Sequence, residues 1–477
     1  MNERPNLLYV FADQLRRQSV GCAGDAKAIT PNIDRFAGEG VDFTNAVACA
    51  PVCTAYRATL FTGKYTTSHG MVINELRMNP NQRCFGHVLT DAGYHTGYIG
   101  KWHLYANELG NHDDAKNSFV PRGPHRLGFD GEWMAYNFHH ENYGTYYHTE
   151  SPDKIFYGEN VYEPDAQTDL AIDFLHRNAT GDGPPFALFL SWGPPHDPWG
   201  PDNVPPRFWE MFGNTPFPHP PNYRPDNDAP YADDWARLSP AQRAQLPQWR
   251  RGYYAQTTSI DWNFGRLLAA LEASGAAKNT LVVFTSDHGE MFGAHGRRAK
   301  NIFYEEACRV PLLIRRPGQI PAGLVSDACI STVDLLPTLL ALLGLQPPEG
   351  VEGMDLSHCA VGQPGPEPDA AFLQICGATA AWRDGHEWRA LRDKRFTYAV
   401  YRVNGRELLF DNLADPYQMR DLSGDAAHAP TMQRFRDRLR RKRTDLNDTF
   451  AACTWYRDHW TDGNRNILRS ATADFGA

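Results

Sequence analysis

The sequence has no apolar run long enough to cross a bilayer, no surplus of positive charge and no spaced cysteine framework. Each absence removes a class of function. The longest apolar stretch, Leu335 to Leu345, carries Pro337 and falls well short of the roughly 20 residues a membrane span needs. It reads as a core helix, and no membrane partner is expected. Basic residues number 47 against 56 acidic ones, a net charge of −9, which disfavours nucleic acid because phosphate recognition requires a basic face. An anionic small substrate would then need positive charge gathered locally. The nine cysteines are scattered from Cys22 to Cys453, unlike the dense pattern of a secreted disulfide scaffold. The polar leader before "NLLYVFADQ" shows neither the basic segment nor the cleavage site of an export signal. The expected location is the reducing cytoplasm. Cys49 and Cys53 stand four residues apart, a spacing unlike the usual zinc knuckle, so "CTAYRATLFTGKY" demands another explanation.

What is present is ordinary globular composition, 42% hydrophobic and 22% charged, which argues against disorder. At 477 residues the chain exceeds the roughly 250–300 residues at which single cores stop growing. Two unequal domains are expected, a catalytic one over 1–365 and a smaller one over 366–477, joined near "VGQPGPEPD". Strand-length apolar runs at Asn6 to Phe11, Tyr94 to Ile99, Phe186 to Trp192 and Thr280 to Thr285 alternate with helical patterns. The latter are Pro31 to Gly38, Gln167 to Arg177, Tyr253 to Ser274 and Val333 to Leu343. Thr30 before Pro31 reads as an N-cap followed by proline at the first helical position. The alternation predicts an α/β fold, a large mainly parallel sheet sandwiched by helices. The proline-rich segment from Pro194 to Pro247 reads as a long surface excursion without long helices. Further strands ("AAFLQI", "RFTYAVY", "ELLFD") and a basic helix over Thr431 to Arg443 predict an antiparallel sheet plus helix in the smaller domain.

Ligands of parallel sheets bind beyond the carboxyl ends of strands. Asp13 follows one strand, and Asp287 and His288 follow another. Taken alone, an aspartate there reads as a turn cap, but the pair with an imidazole suits a divalent cation. Lys101 and His103 end a third strand and His196 a fourth, where they can neutralise an oxyanion and move protons near neutral pH.

These blocks, in order, resemble the formylglycine-dependent sulfatases of the alkaline phosphatase superfamily: "NLLYVFADQ", "CTAYRATLFTGKY", "GYHTGYIGKWH", "WGPPHDPW" and "SDHGEMFGAHG". The similarity continues through "AKNIFYEEACRVPLLIRRPG" and "LFDNLADPYQMRDL". The resemblance implies that Cys53 of a C-x-A-x-R core, with Ala55 and Arg57, is oxidised by a maturation enzyme to formylglycine, whose hydrate is the nucleophile. It implies metal ligands Asp13, Asp287, His288 and modified Cys53, a pattern similar to the choline sulfatase and phosphonate monoester hydrolase branches. Calcium is the first choice of ion and manganese the second. It also implies that Arg57 orients the nucleophile, that Lys101, Lys300 and Asn74 hold sulfate oxygens, that His196 with Lys300 faces the leaving oxygen, and that His103 takes a proton as sulfate leaves.

The expected reaction is hydrolysis of a carbohydrate or aryl sulfate ester. Two rivals stand beside it: phosphonate or phosphate ester hydrolysis on the same scaffold, and a binding protein that lost maturation. Lys101 and His103 favour the sulfatase, and the intact charged set argues against the binding protein. The aromatic stretch from Tyr136 to Glu150, together with Trp199 and Trp209, suits stacking on a sugar or aryl ring, or packing between loops. Oligomeric state is left open.

Overall fold

The computed structural model describes residues 4–179, 183–231, 233, 235–463 and 465–468. Eight strands form the main sheet: β1 (Asn6–Ala12), β2 (Val41–Phe43), β3 (His95–Lys101), β4 (Glu132–Tyr136), β5 (Phe186–Trp192), β6 (Thr280–Ser286), β7 (Leu312–Arg315) and β8 (Leu324–Ser326). Their order is β8-β2-β7-β6-β1-β5-β3-β4, and every pairing is parallel except those of β7. The four strands anticipated from the sequence are thus the contiguous centre, β6-β1-β5-β3.

Alternation along β1 explains the layers. Leu7, Tyr9 and Phe11 enter one core with Tyr56, Leu60 and Phe61 of α2 (Cys53–Thr62) and Leu336 and Leu340 of α5 (Thr332–Leu342). Leu8, Val10 and Ala12 enter the other with α1 (Pro31–Gly38), α3 (Glu163–Asn178) and α4 (Pro240–Ala273). A strand buried on both faces needs no polar side, which is why its sequence reads as a continuous apolar run. At about 1.5–3 kcal/mol per fully buried large apolar side chain, these two cores hold the sheet rigid.

The helix α4 corrects the reading of the proline-rich segment. It begins at Pro240, inside the predicted excursion, and runs through Pro247 for 34 residues. Ser239 and Gln242 form a capping box, and Pro240 sits where its missing N–H is not needed. That start and the apolar contacts of Leu246, Tyr253 and Tyr254 outweigh one missing donor at Pro247. Thr30 also departs from expectation. Its hydroxyl makes no cap bond to the backbone and instead donates to Asp34 at 3.0 Å.

A second sheet, an antiparallel meander, contains β9 (Ala371–Ile375), β10 (Trp388–Arg392), β11 (Phe396–Tyr401) and β12 (Glu407–Asp411). Ala371, Leu373 and Ile375 face Met291, Ile302 and Phe303 in the segment that follows β6. Phe372 faces the other way, toward Met432, Phe435 and Leu439 of α6 (Ala429–Asp445). This sheet therefore clamps the loop that delivers Lys300.

Candidate active site

Register sets the geometry. Ala12 lies opposite both Ser286 and Trp192, so β6, β1 and β5 end at one level and the residues after them emerge together. Asp13, Asp287 and His288 meet there, and α2 brings Cys53 to them at its first residue. The ligand atoms of these four buried residues lie within 4.8 Å of one another. Cys53 Sγ is 3.1 Å from His288 Nε2 and 3.7 Å from Asp13 Oδ1. His288 Nδ1 lies 3.0 Å from the Gly289 carbonyl, which only accepts, so Nδ1 carries the proton and Nε2 is bare toward the cluster.

Cations surround this core. Arg57, fully buried, lies 3.5 Å from Asp13 and 3.6 Å from Asp287, and donates to the Lys101 carbonyl at 2.5 Å and Ser191 Oγ at 2.8 Å. Lys101 Nζ reaches Asp13 Oδ2 at 2.6 Å. Lys300 is 3% exposed and donates to Gln14 Oε1 and His196 Nε2, both at 2.8 Å; it is no solvated lysine. The Asp197 carbonyl, 3.0 Å from His196 Nδ1, fixes that ring's proton on Nδ1. Asn74 Oδ1 accepts from the Thr54 N–H at 3.1 Å, holding the first turn of α2.

The electrostatics are unbalanced in a specific way. Burial opposes ionisation of Asp13, but Lys101, His196, His288 and Lys300 outweigh it and hold the group well below the usual carboxylate range. Asp287 goes the other way: burial and then the Asp13 charge raise it to about 7, and its Oδ2 has no hydrogen-bond partner. Two buried carboxylates, one with an orphaned oxygen, and a bare imidazole nitrogen are the donor set of a hard divalent cation that tolerates one nitrogen. Burial, followed by the Asp13 charge, pushes the Cys53 thiol up to about 12. It stays protonated at neutral pH and is a poor nucleophile as it stands.

Residues 5–345 match the model of the sulfatase family, and residues 293–445 match that of the N-sulphoglucosamine sulphohydrolase C-terminal region. The chain belongs to the sulfatase family. It is therefore a sulfuric ester hydrolase on an alkaline phosphatase-like scaffold. The sulfatase is 35% identical to an ulvan-active sulfatase of Formosa agariphila, over 95% of this chain and 84% of that protein. It is 28% identical to an N-acetylglucosamine-6-O-sulfatase of Bacteroides thetaiotaomicron, over 89% of this chain and 81% of that one. A solved structure of a further protein, bound to that protein's own substrate D-glucosamine-2-N,6-O-disulfate, superposes with a TM-score of 0.80 at 26% identity, covering 94% of this chain and 99% of that one.

In this sulfatase, Asp13, Cys53, Arg57, Lys101, Asp287 and His288 are joined by direct contacts. His196 and Lys300 pair beside them through Gln14, the residue after Asp13. His103 stands behind Lys101 against Glu75, at 3.0 Å. The two tryptophans pack against groups of the protein. Trp199 is 3% exposed and packs on Phe292 and Trp249, while Trp209 lies under Arg251. The stretch after Tyr136 borders a cavity of about 740 Å³ together with His112, through His139, His140, Glu141, Tyr143 and Tyr146. His140 stacks on His196 with ring centroids 4.3 Å apart, which joins that cavity to the reacting centre.

Sequence reasoning missed Gln14 and Glu75, and covered Phe138 and His140 only as part of the stretch Tyr136 to Glu150. Gln14 and Glu75 each follow a recognised residue, Asp13 and Asn74, and that adjacency was the available signal. Both are held at positive φ, 71° and 62°. Such strained backbone concentrates at functional sites and persists only where its surroundings over-determine it.

Proposed function

We propose that the enzyme hydrolyses the sulfate monoester of a carbohydrate to the alcohol and inorganic sulfate, with formylglycine made from Cys53 by a maturation enzyme. The observation that carries this reading is the cluster of Asp13, Cys53, Asp287 and His288 set against Lys101 and Lys300. A hydrated aldehyde at position 53 would supply the attacking oxygen and a second hydroxyl, and a divalent cation, calcium before manganese, would lower the cost of forming that oxyanion.

The protein's own groups do the rest. Arg57, held between Asp13 and Asp287, fixes both carboxylates around position 53. Lys101 and Lys300, with Asn74 nearby, offer preorganised donors to sulfate oxygens, so developing charge meets fixed groups rather than mobile water. The 2.8 Å contact of Lys300 with His196 Nε2 supports these two as the pair that protonates the leaving oxygen. His103 serves the later step, taking the proton from the second hydroxyl as sulfate departs. The saccharide is supported by the cavity of histidines, tyrosines and Glu141 beside His196, and by relatives described as acting on sulfated sugars and polysaccharides.

Peptide mass spectrometry of active enzyme should find an aldehyde at position 53. The kcat/KM on a sugar sulfate should exceed that on a phosphonate monoester. Fully active enzyme with a thiol at position 53 would overturn the nucleophile, and the reverse substrate preference would overturn the reaction.

A further inference from the structure

Glu75 has no part in the reaction set out above, yet the fold strains to place it. It is 3% exposed with φ at 62°, and its Oε1 lies 3.0 Å from His103 Nε2. Its Oε2 has no hydrogen-bond partner, and His112 Nδ1 lies 4.0 Å from it. His103 is held as firmly: φ is 58°, its ring stacks on Phe138 with centroids 4.4 Å apart, and its carbonyl accepts from Thr54 Oγ1 at 3.1 Å. The other ring nitrogen, Nδ1, is buried and unpartnered. Burial, followed by Lys101 and Arg57, drives the pKa of His103 well below the ordinary imidazole value. A base so destabilised as imidazolium needs a nearby negative charge to accept a proton at all.

Burial raises Glu75 to about 7 against the pull of Lys101 and Arg465; above that pH it is a carboxylate that accepts only, so a ring facing it must carry its proton on the facing nitrogen and keep the lone pair on the other. We propose that Glu75 is a positioning residue: it holds His103 in the Nε2–H tautomer, leaves Nδ1 bare as the base, and stabilises the imidazolium that forms. This rests on the sulfatase reading above. The step balances without a further reactant. The second hydroxyl gives its proton to His103 Nδ1, its O–H electron pair re-forms the carbonyl, and the bond to sulfate breaks with its pair on the departing sulfate oxygen. His103 then returns the proton to that sulfate or to water, while Nε2–H stays on Glu75 throughout. Glu75 never needs to move a proton itself.

Nitrogen-15 NMR of histidine-labelled protein, with Cys53 unmodified, reads the tautomer directly and needs no turnover. His103 should show Nε2 protonated and Nδ1 bare; the opposite tautomer would overturn the proposal. In matured enzyme, Glu75→Gln should lower kcat by about 100-fold, the scale of general base catalysis, for sugar and nitrophenyl sulfates alike, because the alcohol has already gone. It should also create a burst of about one equivalent of nitrophenol before slow turnover. A comparable loss with no burst would mean that Glu75 serves the first step or the fold, and the proposal would fall. Wild-type enzyme inactive on every sulfate ester but carrying the Nε2–H tautomer would instead sink the reaction reading and leave Glu75's hold on His103 standing.

Discussion

Arg389 and Asp448, in the C-terminal part of the chain, are both fully buried and meet through two guanidinium nitrogens, Nη2 to Oδ1 at 2.8 Å and Nε to Oδ2. Arg392 grips Glu305 likewise, at 2.6 and 3.0 Å, and ties β10 to the segment beyond Lys300. Asp287 is buried as deeply but receives one backbone N–H, from Gln14 at 2.9 Å, and is left with an orphaned oxygen. The first two pairs are closed by hydrogen bonds within the protein, whereas Asp287 Oδ2 has Arg57 only at 3.6 Å and no hydrogen bond, which leaves it open to a bound ion. Burial of charge is thus structural in one region and functional in the other, and hydrogen-bond completeness tells them apart.

The same chemical change should then have opposite outcomes. Asp287→Asn is expected to cut kcat/KM by about 1,000-fold, several kcal/mol of transition-state stabilisation at about 1.4 kcal/mol per tenfold. The Tm of metal-free protein should stay level or rise, because a buried charge has been removed. Metal analysis, kinetics and thermal melts together check this, and a lower Tm would erase the contrast. Asp448→Asn should instead destabilise the fold by about 3–5 kcal/mol, since Arg389 is left buried without its counter-charge. Below the melting temperature kcat should hold, and urea unfolding beside steady-state assays would show both.

Within the site, the contrast can be sharpened between groups that serve bonding changes and groups that serve binding. His196→Ala should lower kcat/KM by about 100-fold on a sugar or alkyl sulfate and much less on a nitrophenyl sulfate, whose alcohol leaves unaided. Equal losses on both would make His196 a sulfate or pocket group.

The smallest effect is with pH. Burial alone would raise Asp448 and Glu305, yet Arg389 and Arg392 hold both below the ordinary carboxylate value. The folded state therefore keeps these groups deprotonated where the unfolded chain takes up protons. Their stabilisation is fully present above the unfolded values of about 4 and is lost as pH falls through the lowered folded ones. Melting curves from about pH 6 down to about pH 3 should show that loss, and Asp448→Asn should flatten it.

Much of the site was legible because its residues sit at the ends of apolar strands, where position in the chain nearly determines position in space. Asp13, Lys101, Asp287 and His288 needed only the rule that parallel strands end together. Cys53 and Lys300 lie at no strand end and were found by resemblance. The strand Trp388–Arg392 was missed for the reason that makes it informative. Its arginines break the apolar pattern, and only the fold supplies Asp448 and Glu305 to cancel them. Trp199 stood open between stacking on a ligand and packing between loops, because an aromatic in a proline-rich loop looks the same in sequence whether it faces a ligand or, as here, Phe292. Glu75 was invisible because its meaning depends on which nitrogen of a ring 28 positions away it faces.

Residue 53 sits at the first turn of a wholly buried helix, 1% exposed, under Asp13, Lys101 and Lys300. No second protein can grip the peptide around it once that helix is seated. Under the proposed maturation, the chemistry that prepares this side chain would compete with folding for the same unstructured segment, and whichever finished first would decide the fate of the molecule. A chain that folded early would be locked as a thiol in the same buried position. Specific activity in a preparation would then report a race during synthesis, set by translation speed and supply of the modifying catalyst, rather than a property of the finished fold.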